Sequence, residues 1–127
     1  MNKIKFQLEY PLNSTSLNVL WNAIGTPLGL AEWFSDELSV TDNKFTFFWN
    51  QHEQSAILLG SKTNSFIQFQ WEEEAETEYY FELKIVVLEL TGELALVITD
   101  FAEPGEEEAL KLVWDKQVEV LRRKTGI

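Results

Sequence analysis

Six short segments with the alternating pattern of β-strands follow one another between residues 37 and 101, separated only by brief turns. In one of them Ile67, Phe69 and Trp71 alternate with Gln68 and Gln70, which makes one face of the strand apolar. Strands joined by short turns pair with their neighbours in the chain, so the pattern predicts an antiparallel meander. The six predicted strands are 37–41, 44–49, 55–60, 66–71, 79–88 and 93–101.

A further strand and two short helices precede this run. Residues 3–10 alternate, and Pro11 is expected to end their strand. Asn13 and Ser14 are predicted to cap a helix that closes at residue 25. Thr26 and Pro27 are residue types preferred at an N-cap and at the first helical position, respectively. The pair therefore predicts a second helix that runs to about residue 34.

The C-terminal segment has the clearest helical pattern. Pro104 and Gly105 open it, three glutamates occupy its first turn, three basic residues occupy its last turn, and Gly126 follows. Both sets of charges complement the helix dipole. A sheet with one apolar face must cover that face, and this helix is the only predicted element large enough. The sequence therefore predicts an α+β fold: a curved seven-stranded antiparallel sheet around a long C-terminal helix, with two short helices after the first strand.

Length and composition restrict what such a protein does. The chain has 127 residues, which fits one domain over residues 1–127. It contains no cysteine, which excludes disulfides, thiolate metal sites and thiol catalysis, and which favours a cytoplasmic protein. No apolar run has the length of a signal peptide or a membrane span, so membrane insertion is not expected.

The chain is strongly acidic, with a formal net charge of −11. A surface of this charge repels phosphate backbones, so no nucleic-acid partner is expected. It would attract a basic partner protein, or it serves solubility alone.

Histidine is scarce, and the motifs typical of catalytic or metal sites are missing from the sequence. His52 is the only histidine and falls in a predicted turn, which excludes a His–His metal site, and no Gly-x-Ser-x-Gly motif is present. The acidic run at 72–78 lacks the spacing and the glycine of a calcium loop, and is predicted to be a solvated, self-repelling connection. The glycines are scattered and form no phosphate-binding loop. We therefore expect no enzyme activity, no metal and no cofactor.

Several stretches of the chain resemble the START-like, or SRPBCC, superfamily. They are LWNAI at 20–24, TPLGLAEWF at 26–34, FQWE at 69–72, ITDFA at 98–102 and the segment from 112 to 121. The local sequence is closer to the branch that contains the activator of heat-shock-protein ATPase homologues. The resemblance extends over essentially the whole chain and implies the helix-grip fold, with a cavity between the sheet and the C-terminal helix. In the wider superfamily that cavity takes lipids, polyketides or hormones.

The function that this resemblance implies is binding of a small hydrophobic ligand in the cavity. Two alternatives stay open, a chaperone-associated protein-interaction module and, ranked last, a cyclase-type enzyme. Each aromatic candidate for the ligand site can equally belong to an ordinary core. The candidate ligand-binding residues are Trp33, Phe69, Trp71, Phe81, Trp114, Gln117 and Leu121.

Gln117 is a polar residue within the apolar stripe of the predicted C-terminal helix, close to Trp114 and Val118. A buried amide without a partner costs about 1–3 kcal/mol, so a ligand, a water molecule or a backbone group must satisfy it. We expect Gln117 to face the cavity as its polar anchor. We also expect Trp33 and Trp114 to be buried in the same core.

Three aromatic residues fall on the strand phase opposite the predicted core face: Phe48, Phe66 and Tyr80. A monomer would expose them, and exposed aromatic patches often mark interfaces. The pattern therefore suggests a homodimer, with coverage by an edge or a loop as the alternative.

Overall fold

The computed structural model describes residues 2–12 and 15–126. The strands are β1 (Ile4–Leu12), β2 (Glu37–Thr41), β3 (Lys44–Trp49), β4 (His52–Lys62), β5 (Phe66–Trp71), β6 (Phe81–Val87) and β7 (Leu94–Ala102). The helices are α1 (Leu17–Gly25), α2 (Pro27–Trp33) and α3 (Glu107–Thr125), and a short 3₁₀ turn spans Glu72–Glu74.

All seven strands form one antiparallel sheet in the order β1-β7-β6-β5-β4-β3-β2. Strands β2 to β7 pair in chain order, and β1 adds to the free edge of β7. A β-bulge shifts the register of β4 between Leu58 and Gly60, and bulges bend the strand that carries them. The predicted α+β helix-grip architecture is confirmed.

The apolar faces of the strands, α1, α2 and the inner side of α3 share one core. Phe47 and Phe69 are completely buried there because strand alternation sends both toward the helices. Trp33 and Trp114 are each 4% exposed and belong to this core, which confirms their predicted burial.

The α1–α2 corner is fastened by short-range hydrogen bonds. Thr26 caps α2, because its hydroxyl accepts from the Gly29 N–H (3.0 Å), and it also donates to the Asn22 carbonyl (2.7 Å). The Trp33 indole N–H donates to the Ala23 carbonyl of α1 (2.8 Å). These bonds set the end of α2, and thus Phe34, in a defined place over the sheet.

Some element boundaries differ from the prediction. The predicted cap at Asn13 and Ser14 lies outside the described residues, and Ser16 caps α1 by accepting from the Val19 N–H (3.2 Å). Strand β1 continues through Pro11 to residue 12, because an edge strand tolerates a residue that has no N–H. Strand β4 begins at His52, which was predicted to lie in a turn.

Two apolar residues that share the phase of the core-facing residues of their strands are exposed. Ile4 is 52% exposed and Val87 is 62% exposed. Ile4 is the first residue of β1 and Val87 is the last residue of β6, so the apolar alternation extends past the buried part of each strand. Phe48, Phe66 and Tyr80 are half-buried, and not fully exposed as expected. Tyr80, for example, packs edge-on against Phe101 with 5.1 Å between ring centroids.

Helix α3 is attached firmly to the rest of the protein along its C-terminal half. Val118 and Leu121 are buried, and near the middle of the helix the Tyr10 hydroxyl donates to Asp115 (2.6 Å). The Arg122 guanidinium donates to the Pro11 carbonyl (3.0 Å). Its N-terminal half packs less closely, and Val113 is 51% exposed. Within residues 2–12 and 15–126, no helix is both long and apolar enough to cross a membrane.

The α1–α2 corner depends on Gly29. A Cβ built there would lie 1.8 Å from the Asn22 carbonyl oxygen and 2.8 Å from the Ala23 Cα, which are backbone atoms that cannot rotate away. Gly29→Ala should therefore lower the free energy of unfolding by at least about 2 kcal/mol. Gly60→Ala is the matched control, since nothing lies within 4 Å of its Cβ, and it should change stability by less than about 0.5 kcal/mol. Urea unfolding of both variants measures this, and equal stabilities would contradict the proposed close contact.

Candidate functional site

A cavity of about 670 Å³ lies between the N-terminal half of α3, the β3–β4 hairpin and the end of β5. Half of the residues in its wall are aromatic or aliphatic: Phe34, Trp49, Trp71, Phe101, Leu110, Val113 and Trp114. The other half carry polar groups: Lys3, His52, Gln54, Glu73, Glu74, Asp100 and Gln117. The cavity exists because α3 is attached by its C-terminal half, while its N-terminal half spans the open end of the sheet.

The backbone carbonyl of Phe34 holds two walls of the cavity together. It accepts hydrogen bonds from the indole N–H of Trp49 on β3 (3.0 Å) and from the side-chain amide of Gln117 on α3 (2.9 Å). The Phe34 ring is 3% exposed and lies 5.7 Å from the rings of both Phe81 and Trp114. The end of α2 thus connects the sheet to the long helix at the cavity.

Asp100 is a mostly buried charged group in the wall. It shares a face of β7 with Leu96 and Ile98, so strand alternation sends its carboxylate toward α3. One oxygen accepts from the Trp114 indole N–H (2.8 Å) and the other from the Phe101 backbone N–H (2.7 Å). Burial raises the pKa of this carboxyl from 3.8 to about 6, although both hydrogen bonds act to lower it.

The acidic 3₁₀ turn closes one side of the cavity. The run 72–78 is exposed as predicted, except at Glu74, but polar contacts hold its first three residues. Each glutamate of the 3₁₀ turn makes a polar contact: Glu72 with Lys44, Glu73 with Gln54, and Glu74 with Lys3. The Glu74 side chain is only 14% exposed. These contacts with residues distant in the chain order the segment, because they offset the repulsion among its carboxylates.

Three of the seven predicted ligand-binding residues line the cavity: Trp71, Trp114 and Gln117. The other four lie in the packed core and not in the cavity wall: Trp33, Phe69, Phe81 and Leu121. Phe69 and Phe81 stack on each other with 5.3 Å between centroids, beneath the wall residues. Leu121 belongs to the closely packed C-terminal half of α3.

Gln117 faces the cavity, and its amide nitrogen already donates to the Phe34 carbonyl. Of the partners considered from the sequence, a backbone group is therefore the one observed. The bond positions α3 over the sheet, so Gln117 contributes to the shape of the cavity whether or not it contacts a ligand.

Sequence analysis missed Phe34, Trp49 and Asp100. A signal for Asp100 was present, because a carboxylate interrupts the apolar phase of β7 set by Leu96 and Ile98. Phe34 acts through its backbone carbonyl, which no residue pattern reveals. Among the residues that the structure describes, no three His, Asp or Glu side chains are arranged to hold a metal ion.

Comparison with known proteins identifies the family. The model of the START-like superfamily domain matches residues 1–127. The chain belongs to the START-like superfamily. This START-like protein is 46% identical to BfR322 from Bacteroides fragilis, whose solution structure it matches with a TM-score of 0.67, over 98% of this chain and 92% of that one. No curated protein matches the sequence.

More distant START-like structures share the fold. The solution structure of the Aha1 dimer from Colwellia psychrerythraea matches with a TM-score of 0.71 at 14% identity, over 95% of this chain and 93% of that one. The crystal structure of DynU16, a protein encoded in the dynemicin biosynthetic locus, matches with a TM-score of 0.70 at 18% identity, over 95% of this chain and 46% of that one. At these identities the likeness concerns the fold alone.

The raised pKa of Asp100 makes the stability of this START-like protein depend on pH. Because the folded-state pKa lies above the unfolded value, the folded protein retains a proton between about pH 4 and 6. The stability that Asp100 contributes is complete below that window and is lost as the pH rises through 6. Lys3, Glu74 and His52 also line the cavity, so the effect of Asp100 must be isolated by substitution.

Asp100→Asn keeps an acceptor for Trp114 and removes the titrating group. We expect its melting temperature, relative to that of the original protein, to rise between pH 4.5 and pH 7.5. Thermal unfolding followed by circular dichroism measures the difference. Parallel curves for the two proteins across this range would show that Asp100 has an ordinary pKa.

Proposed function

We propose that the protein binds a small hydrophobic molecule in the cavity between α3 and the sheet. The observation that carries this proposal is the cavity itself, with a volume of about 670 Å³ and an aromatic wall. Small-molecule sites typically enclose about 300–1,000 Å³ and combine apolar walls with a few oriented polar groups. Bound there, an apolar molecule would cover ring surfaces of Trp49, Trp71 and Phe101 that are half-exposed in its absence.

The walls of the cavity are held in place before any ligand arrives. Trp49 and Gln117 both donate to the Phe34 carbonyl, and Trp114 donates to Asp100. Side chains that are already ordered lose little conformational entropy on binding, which favours affinity. Membership of the START-like superfamily supports the same function, because the resemblance implied a ligand cavity at this place.

We infer that the site binds its ligand without transforming it. The chain has one imidazole, that of His52, which stands exposed at the cavity mouth with its ring 5.2 Å from that of Trp49. The contact of His52 with Trp49 supports a role of His52 in the wall of the cavity. The buried Asp100 carboxylate is engaged by two hydrogen bonds that hold the wall.

Filling the cavity should abolish binding. Val113 lines the cavity and is half exposed, so Val113→Trp places an indole in the cavity without disturbing the core. Titration with N-phenyl-1-naphthylamine, a neutral probe whose fluorescence rises in apolar sites, should show saturable binding to the original protein. We expect at least about a tenfold loss of affinity in Val113→Trp, which corresponds to about 1.4 kcal/mol.

Leu112→Trp is the matched control. Leu112 is the neighbouring residue on α3, is 60% exposed and does not line the cavity. The Leu112→Trp variant should bind the probe with the same affinity as the original protein. Equal affinities for the two tryptophan variants would place the probe elsewhere, and an absence of saturable binding to the original protein would contradict the proposed function.

A further inference from the structure

The charged groups in the cavity wall are unbalanced. Three carboxylates, those of Glu73, Glu74 and Asp100, line it together with one ammonium group, that of Lys3, which leaves two negative charges when His52 is neutral. Lys3 contacts Glu74, so its charge is already matched. Among the residues that the structure describes, Asp100 and Glu73 form no salt bridge, and Lys3 attracts Asp100 only from beyond ion-pair distance.

Asp100 retains capacity to accept a further donor. Each of its oxygens accepts one hydrogen bond, from Trp114 or from the Phe101 backbone. An ionised carboxylate offers about four lone-pair positions, so each oxygen has room for one more. A carboxylate in so sheltered a place gains more from a cation than an exposed one does, because water screens the attraction less.

The surroundings of Asp100 also favour positive charge. Trp49 and Trp71 are half-buried rings in the wall, and the faces of aromatic rings attract cations. The whole chain carries a formal net charge of −11, which raises the local concentration of cations around the cavity mouth. An anionic ligand, such as a fatty acid, would meet like charge both at the mouth and at the base of the cavity.

We propose that the cavity selects amphiphilic amines: molecules with an apolar body and a protonated amino group, whose N–H groups donate to Asp100. This inference rests on the proposed binding of a hydrophobic molecule in the same cavity. The aromatic wall holds the apolar body, Asp100 accepts from the ammonium group, and Glu73 at the 3₁₀ turn adds attraction at longer range.

Three probes of matched shape separate the charge preference from the hydrophobic binding. They are 1-naphthylmethylamine, which is cationic at pH 7, 1-naphthylmethanol, which is neutral, and 1-naphthoic acid, which is anionic. Calorimetric titration at pH 7 and 0.15 M salt should show the amine binding at least about tenfold more tightly than the alcohol, because close charge pairs across an interface can be net favourable. The acid should bind more weakly than the alcohol.

Two variants assign the preference to residues. Asp100→Asn should reduce the amine-to-alcohol affinity ratio to within about threefold, because an amide carries no charge. Glu73→Gln should reduce the ratio by a smaller factor, and it also tests the proposal if Asp100→Asn fails to fold. Glu78→Gln is the control, because this exposed residue belongs to the same acidic run and does not line the cavity. It should leave the ratio unchanged.

The outcomes are distinguishable. If the alcohol binds and the amine binds no better, or the acid binds best, the charge preference is wrong and the proposed function stands. If none of the three probes binds, both proposals fail. If both Asp100→Asn and Glu73→Gln keep the amine-to-alcohol affinity ratio of the original protein, the preference does not come from these carboxylates.

Discussion

The backbone carbonyl of Phe34 is the point at which three parts of the molecule meet. Phe34 lies at the C-terminal end of α2. Its carbonyl accepts hydrogen bonds from the indole N–H of Trp49 in the sheet and from the side-chain amide of Gln117 in the long helix. Two donors on one buried acceptor satisfy side chains that would each be costly to bury alone. Because the same atom fixes both partners, the distance between α3 and the β3–β4 hairpin is set by hydrogen bonds as well as by packing.

The two halves of α3 consequently have different roles. The C-terminal half packs Val118 and Leu121 into the core and is tied to β1, so it contributes mainly to stability. The N-terminal half reaches over the open end of the sheet, and near the middle of the helix Trp114 and Gln117 connect to distant elements across a space. Such an arrangement has physical costs, including a carboxylate with a raised pKa at Asp100. Perturbed pKa values of this kind are common at functional sites.

Much of the fold could be predicted from local patterns, and the wall of the cavity could not. The alternating pattern of β5 and the charge distribution along α3 each predict the conformation of a single element. The apolar face of the resulting sheet must be covered, and only a few architectures achieve this. The wall depends on contacts between residues far apart in sequence, such as Lys3 with Glu74. The same limitation explains why Trp71 and Phe69, which follow one alternating pattern, end on the cavity wall and in the core respectively.

The five tryptophans provide a direct test of where a ligand binds. Trp49, Trp71 and Trp114 line the cavity, whereas Trp21 and Trp33 do not. In ¹H–¹⁵N correlation spectra, titration with N-phenyl-1-naphthylamine should shift the indole N–H signals of the first three and leave the other two in place. Unchanged signals for all five, or shifts confined to Trp21 and Trp33, would contradict binding in this cavity.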